Sequence, residues 1–274
     1  MVPGITYYRR KDDQVIKTPE IGEVFDNWRE GRECWMFVAA HDDDIVTGAG
    51  MTFQAAIAEG VEVHAVITTD GRMGYCVPQQ RVTISRIRQE ECIQSFEALG
   101  LPRENLHFLN FPDCALSVYT GRQLRTEGHP TEIAGASGLQ NAYTYILREV
   151  RPTRVILPTI TDLHPDHRLT NTEMLISLFH AEGGIWPELG EPISEIPEVY
   201  EYATYCDFPE LPQLRIEVPE SYLEKKLSAI RAYASQMQIE LLIEAHRKGG
   251  NAEYIREVHF KFYSPEQYEP YFEV

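Results

Sequence analysis

The sequence predicts an α/β fold, a doubly wound, mainly parallel sheet with helices on both faces. Three observations predict it. Short continuous apolar runs recur along the chain, amphipathic helical stretches alternate with them, and the most unusual polar tracts fall directly after two of the runs. Strand–helix alternation of this kind builds a parallel sheet covered on both sides.

The elements follow in order. Residues 34–40, Cys-Trp-Met-Phe-Val-Ala-Ala, read as a strand buried on both faces. Residues 47–60 read as a helix, with Thr47 as N-cap and Gly60 as its stop. Residues 61–69 are a second strand. A long amphipathic helix spans 81–100, with Ile84, Ile87, Cys92, Phe96 and Leu99 near helical spacing and Gly100 at its end. Residues 105–109 are a third strand. Residues 112–137, rich in Gly, Thr and charge, read as a loop insertion of a length that is usually functional or mobile. A helix over 138–150, a fourth strand over 154–158 and a helix over 168–180 come next. Residues 182–197 are irregular, 198–205 and 214–218 are further strands, and 219–247 reads as one long helix capped by Ser221. In the common Rossmann-like order 3-2-1-4-5, the first and fourth strands lie side by side. Ligands then bind in the crevice above their carboxyl ends.

Bulk properties narrow the function. A chain of 274 residues suits a single domain over 1–274, with its core at about 33–257, and is long enough to bury a real core. No apolar run approaches the roughly 20 residues that span a bilayer, and the N-terminus lacks the apolar segment of a signal peptide. The five cysteines are odd in number, scattered and without a Cys-x-x-Cys, which points to a reducing compartment and a cytoplasmic protein. A net charge of −17 repels phosphate backbones and anionic membrane surfaces, so no nucleic-acid partner is expected.

Two tracts carry chemistry. His41-Asp42-Asp43-Asp44 follows the first strand immediately, and His164-Pro165-Asp166-His167 begins six residues after the fourth strand ends. Either alone reads as a turn or a helix cap. At neighbouring strand ends they can converge on one metal ion. Zinc takes imidazole nitrogen and carboxylate oxygen, and a catalytic zinc keeps a position open for water. Amide hydrolysis needs that nucleophile, a base for its proton, and a group to stabilise the developing oxyanion.

The pattern resembles the LmbE-like, or PIG-L, superfamily of zinc-dependent N-deacetylases, which remove acetyl from N-acetylglucosamine units of glycolipids, pseudo-disaccharides and antibiotic precursors. The family's Ala-His-Pro-Asp-Asp-Glu is matched here by Ala40-His41-Asp42-Asp43-Asp44-Ile45, and its His-Pro-Asp-His is intact at 164–167. Weaker similarities fall in order at Thr68-Thr69-Asp70-Gly71, Arg88-Gln89-Glu90-Glu91, Leu99-Gly100, Phe111-Pro112-Asp113, Arg151-Pro152, Lys226, Ala229-Ile230 and Ser235-Gln236. The resemblance implies that His41, Asp44 and His167 bind Zn²⁺, with Fe²⁺ or another divalent ion as an alternative for this donor set. It implies that Asp43 is the general base for a metal-bound water. His164 would stabilise the oxyanion or protonate the leaving amine, and Asp166 would orient His164. Arg88 and Asp113 would contact the substrate, an N-acetylated amino sugar or sugar conjugate. Relatives commonly assemble, so a homo-oligomer is expected. Asp42 and Ile45 depart from the family's proline and glutamate.

Two other readings compete. Asp42-Asp43-Asp44-Ile45-Val46 with Thr68-Thr69 also resembles the opening of Mg²⁺-dependent haloacid-dehalogenase-like phosphohydrolases, with Asp42 as nucleophile. That reading leaves His41 and His-Pro-Asp-His without work. A non-catalytic sugar-binding module on the same fold is the other. His64, His107, His180, His246 and His259 read as core or surface residues, whereas His129 lies in the long loop and could approach the site. The Tyr-rich stretches at 200–205 and 263–272 suit sugar stacking or core packing.

Overall fold

The chain opens with a hairpin that its polar sequence conceals. The strands are β1 (Thr6–Lys11) and β2 (Gln14–Thr18). Tyr7 and Arg9 point inward, and Arg9 is neutralised there by Asp26 and Glu257. Then come β3 (Cys34–Ala39), α1 (Asp44–Ala58), β4 (Glu62–Thr69), α2 (Ile84–Leu99) and β5 (Leu106–Phe111). A two-stranded ribbon, β6 (Gln123–Leu124) and β7 (Ala136–Ser137), precedes α3 (Leu139–Val150), β8 (Arg154–Pro158) and α4 (Pro165–Glu182). The chain continues with β9 (Glu198–Tyr202), β10 (Leu214–Glu217), α5 (Glu220–Arg231), α6 (Ile239–Gly249) and β11 (Ala252–Val258). This computed structural model describes residues 2–11, 14–124 and 131–272, so His129 lies outside the described residues.

Nine strands form one sheet in the order β2-β1-β10-β11-β9-β8-β3-β4-β5. Its β9-β8-β3-β4-β5 half is parallel and reproduces the 3-2-1-4-5 arrangement. The other half, from β9 outward to β2, is antiparallel. The sheet is therefore mixed rather than mainly parallel, while the α/β class stands. Of the antiparallel strands, β9 and β10 fall on the strands expected at 198–205 and 214–218, whereas β1, β2 and β11 are half-polar and were not expected.

Alternate side chains of β3 serve two cores. Trp35, Phe37 and Ala39 pack with α1, α2 and α5, whereas Met36 and Val38 pack with α3 and α4. That two-sided burial explains the continuous apolar run. The expected helix over 219–247 is broken: α5 ends at Arg231 and α6 starts at Ile239. Contacts at the break override its helical pattern. Tyr233 Oη donates to the Asp42 carbonyl (2.5 Å), both the Ser235 amide and hydroxyl donate to Glu91 (2.7 Å each), and Gln236 reaches Asp43. Ser221 lies inside α5, whose N-cap is Pro219.

Helix α1 carries a break of its own at Ala49 (φ −140°, ψ 17°). A buried ion pair satisfies the backbone groups that this break frees. Lys226 Nζ donates to the Thr47 carbonyl (2.6 Å), and the Glu253 carboxylate accepts from the Met51 and Thr52 amides (3.0 and 2.7 Å). Lys226 and Glu253 are 2.7 Å apart. Gly48 is required at the bend because a Cβ there would sit 2.4 Å from the Tyr202 ring and 2.8 Å from the Ala203 carbonyl. The bend sets the direction from which the first turn of α1, with Asp44, meets the strand ends.

Removing one member of a buried pair strands the other charge, which costs about 3–5 kcal/mol. Lys226→Met and Glu253→Gln are each expected to destabilise the protein by about that amount in urea unfolding. The double variant should lose less than the sum of the two, because neither charge is then orphaned.

Candidate metal centre and active site

Strands β3 and β8 are direct neighbours, with Trp35, Met36 and Phe37 opposite Arg154, Val155 and Ile156. The chain leaves β3 into His41–Asp44 and leaves β8 into the 159–167 segment, so both polar tracts emerge side by side. Each tract runs into a helix: Asp43 and Asp44 head α1, and His164 caps α4. Carboxylates at a helix N-terminus meet the positive end of its dipole.

Three side chains turn ligand atoms toward one point. His41 Nδ1 and His167 Nε2 are 3.0 Å apart. Asp44 Oδ1 is 3.2 Å from His167 Nε2, and Asp44 Oδ2 is 3.4 Å from His41 Nδ1. Ligands bound to one ion at about 2.0–2.2 Å in tetrahedral geometry stand roughly 3.4 Å from each other. Asp44 Oδ1 is buried and has no hydrogen-bond donor. The far nitrogen of each imidazole is backed by carboxylate. His41 Nε2 lies 3.2 Å from Asp113 Oδ1 and 3.7 Å from Asp166 Oδ2, and His167 Nδ1 lies 3.2 Å from Asp162 Oδ2. Carboxylate behind imidazole is the arrangement that orients metal-binding histidines. These observations fit a divalent cation.

The electrostatics agree. Burial lowers the basicity of His41, yet Asp44, Asp113 and Asp166 outweigh it and hold its pKa well above the ordinary value. Against its burial, Asp44 is held well below the usual carboxylate range by His167 and His41. The cluster thus binds positive charge strongly. His164 goes the other way: burial, His41 and His167 depress its pKa, so it stays neutral.

The remaining predicted residues gather around a cavity of about 190 Å³. Asp43 is held through Oδ2, which accepts from Gln236 Nε2 (2.5 Å) and lies 3.2 Å from Arg88 Nη2. His164 Nδ1 accepts from the Asp166 backbone amide (3.2 Å), so its neutral ring carries the proton on Nε2. Asp166 thus touches His164 through its backbone, while its carboxylate accepts from the Cys114 amide (2.8 Å) and faces His41. Asp113 lines the cavity but also accepts from the Met73 amide (3.1 Å) and faces His41. Arg88 lies in the wall and is 4% exposed, its guanidinium paired with Asp42. Burial, only partly offset by Arg88, pushes Asp42 up to about 6, so that pair is ionic at neutral pH. A buried, doubly bonded Asp42 is not a free nucleophile, which removes the basis of the phosphohydrolase reading.

Three further residues had no reading in the sequence, and a fourth, Tyr205, belongs to the Tyr-rich stretch at 200–205 and lines the cavity. Asp162, fully buried, backs His167 and accepts from the His164 and Tyr205 amides (2.9 and 3.1 Å). Tyr205 stacks on His167 at 5.2 Å. Tyr233 lies under Arg88 at 4.8 Å, and Gln236 holds Asp43. Ser235-Gln236 in the family pattern was the one available signal for the last. From the long loop, Asp113 and Cys114 reach the cavity. Segments 116–124 and 131–137 instead tie to the α3–α4 layer, as Gly121 does to Glu173 and Arg122 to Asn141. His64, His107, His180, His246 and His259 do not line the cavity; His64 and His107 share a 3.0 Å contact with each other. Tyr200 and Tyr202 are core, and none of Tyr263 to Phe272 lines the cavity.

Known proteins resemble this chain along most of its length. The deacetylase of 1D-myo-inositol 2-acetamido-2-deoxy-alpha-D-glucopyranoside (form 2) from Saccharopolyspora erythraea is 28% identical over 235 residues, covering 75% of this chain and 84% of that protein. In structure, N,N'-diacetylchitobiose deacetylase from Pyrococcus horikoshii superposes with a TM-score of 0.64 at 23% identity, covering 88% of this chain and 89% of that one. The 4-carboxy-2-hydroxymuconate hydratase of Pseudomonas putida KT2440 does so at 0.63 and 20%, covering 85% and 98%. Such structural likeness establishes the fold, and a hydratase on it shows that the fold does not choose the reaction. The PIG-L family model, GlcNAc-PI de-N-acetylase, matches residues 36–176, which hold both polar tracts. Just over half of the sequence is matched in this way, and the chain is a member of the PIG-L family.

Proposed function

We propose that this protein is a metal-dependent N-deacetylase that hydrolyses the acetamide of an N-acetylated amino sugar or sugar conjugate. The observation that carries the reading is the convergence of His41, Asp44 and His167, of which His41 lines a cavity that Asp43 and His164 also line. Family membership and deacetylase relatives support it.

His41, Asp44 and His167 would hold the ion, zinc first and iron(II) by the same donor set. A divalent ion there supplies Lewis acidity toward an acetamide carbonyl and acidifies a water. Gln236 and Arg88 both engage Oδ2 of Asp43. Oδ1 is then the oxygen that takes the proton as water adds to the carbonyl carbon. His164 Nε2–H donates to the carbonyl oxygen as charge builds there, and its orientation is fixed by the Asp166 amide. The C–N bond breaks as Asp43 passes the proton it took from water to the nitrogen, giving acetate and a free amine. The cavity is smaller than the roughly 300–1,000 Å³ of pockets for drug-sized ligands, which suits one sugar unit with its aglycone outside. The deciding experiment is a free-amine assay of metal-loaded protein against a panel of N-acetylated sugars and conjugates. Release of amine from none of them would overturn the proposal.

Metal content tests the ligands. His41→Ala, Asp44→Ala and His167→Ala should each strip the ion, whereas Asp162→Asn should retain the ligands but weaken metal affinity by about 10–100-fold. Full metal content in all three ligand variants, by elemental analysis, would refute the assignment.

Asp43→Ala should keep its metal and lose on the order of 10²–10⁴-fold in kcat, the scale of a lost general base. His164→Ala should also keep metal and lose rate. Wild-type turnover by Asp43→Ala would exclude Asp43 as the base.

A further inference from the structure

The cavity wall is strongly acidic. Asp42, Asp43 and Asp113 line it, with Asp44 and Asp166 close behind. Arg88 is the one Arg or Lys among its described lining residues. A lone guanidinium in a sugar-sized pocket is the natural receptor for a phosphate or carboxylate on the substrate. Here that role is taken internally. Arg88 Nε donates to Asp42 Oδ2 at 2.8 Å and Nη2 donates to Asp42 Oδ1, a fork-to-fork pair. Nη2 also lies 3.2 Å from Asp43 Oδ2.

The rest of the surroundings lock this pair. The guanidinium lies over the Tyr233 ring, and the Tyr233 hydroxyl holds the Asp42 carbonyl. Nη1, the nitrogen left over, is buried and without a partner. Gly71, with φ +65°, closes the pair from the other side; a Cβ there would come within 3.3 Å of Arg88 Cβ and 3.6 Å of Asp42 Oδ2. Arg72, beside Gly71, is likewise engaged by a carboxylate, that of Asp70 at 2.7 Å. Even with a divalent ion in place, carboxylates outnumber positive charges around the cavity.

We propose that Asp42 is a specificity-determining residue. By occupying Nε and Nη2 of Arg88 and neutralising its charge, it sets the pocket against anionic substrates and selects uncharged or amine-bearing N-acetyl amino-sugar glycosides over phosphate- or carboxylate-bearing ones. The inference rests on the deacetylase reading and adds the substrate class. Asp42 acts through Arg88 and does not touch the reacting atoms. It stands where the family's Ala-His-Pro-Asp-Asp-Glu pattern has proline.

The test compares methyl N-acetylglucosaminide with N-acetylglucosamine 1-phosphate at one low ionic strength. The proteins are metal-loaded wild type, Asp42→Asn, Asp42→Pro and Asp42→Asn/Arg88→Gln. Wild type should favour the uncharged sugar by about tenfold or more in kcat/KM, the scale of one charge-assisted hydrogen bond. Asp42→Asn and Asp42→Pro should each move the kcat/KM ratio at least about tenfold toward the phosphate, any effect on Asp43 being common to both sugars. Adding Arg88→Gln should cancel that gain, which loss of structure alone would not produce. An unchanged ratio in both Asp42 variants, or a gain that survives Arg88→Gln, would overturn the proposal. So would a wild type that takes both sugars equally. If wild type hydrolyses neither sugar nor any other acetamide, the deacetylase reading falls by itself. Calorimetric binding of the same two sugars then decides the inference: it stands if the Asp42 variants gain phosphate-sugar affinity and falls if they do not.

Discussion

The pairing of β3 with β8 governs the distance between two tracts that lie more than a hundred residues apart in the chain. With Phe37 opposite Ile156, both strands end at the same edge of the sheet, and the segments that leave them bring His41 within 3.0 Å of His167. The pairing is secured by burial on both faces, since β3 and β8 are buried at every position. It is also secured by ionic contact at the other end of the strands, where Arg154 is bound by Glu33 and Glu33 in turn accepts from Trp35 and Thr153. A slip of β8 by one residue would exchange its two faces and draw the second tract away from the first.

A second constraint follows from the first. Bringing these tracts together concentrates negative charge in a place with little water, and isolated buried carboxylates are costly. The structure meets this with local partners of three kinds. Arg88 serves Asp42 and Asp43, imidazoles serve Asp44, Asp113 and Asp162, and backbone amides serve Asp113, Asp162 and Asp166. Farther from the cavity, the Lys226–Glu253 pair stabilises the bend of α1 that holds Asp44 in line with both histidines. The charges around the cavity are thus a connected system, and a substitution at Asp42 is felt at Arg88 and Asp43 before it is felt by any ligand.

Structures of a hydratase and of a deacetylase both superpose on this fold, so the fold alone does not choose the reaction and the chemistry at the strand ends must. In this chain the strand ends carry two imidazoles and a carboxylate in mutual contact, with a further carboxylate and a neutral imidazole at the cavity. Under the proposed function these groups would serve as metal ligands, base and hydrogen-bond donor in amide hydrolysis.

How much of this was legible in the sequence depended on the range of the interactions. Strands β3, β4 and β8 were readable because burial on both faces leaves a continuous apolar run, and the order of the parallel strands followed the common 3-2-1-4-5 arrangement. His41, Asp43, Asp44, His164, Asp166 and His167 were readable because each sits in a short local tract after a strand. The hairpin β1–β2 and strand β11 were not, because their inward polar residues, Arg9 and Glu253, are buried only by virtue of distant partners. The break between α5 and α6 follows from contacts of Tyr233, Ser235 and Gln236 with residues far back in the chain, which no local propensity records. Asp162 lies outside both tracts, and only folding sets it against His167. The sequence by itself determined the two His/Asp tracts and the strand ends that present them. The tertiary structure alone decided which carboxylate faces which nitrogen, and that Arg88 answers to Asp42, because such pairings depend on distances across the sheet and between helices that the order of residues does not encode.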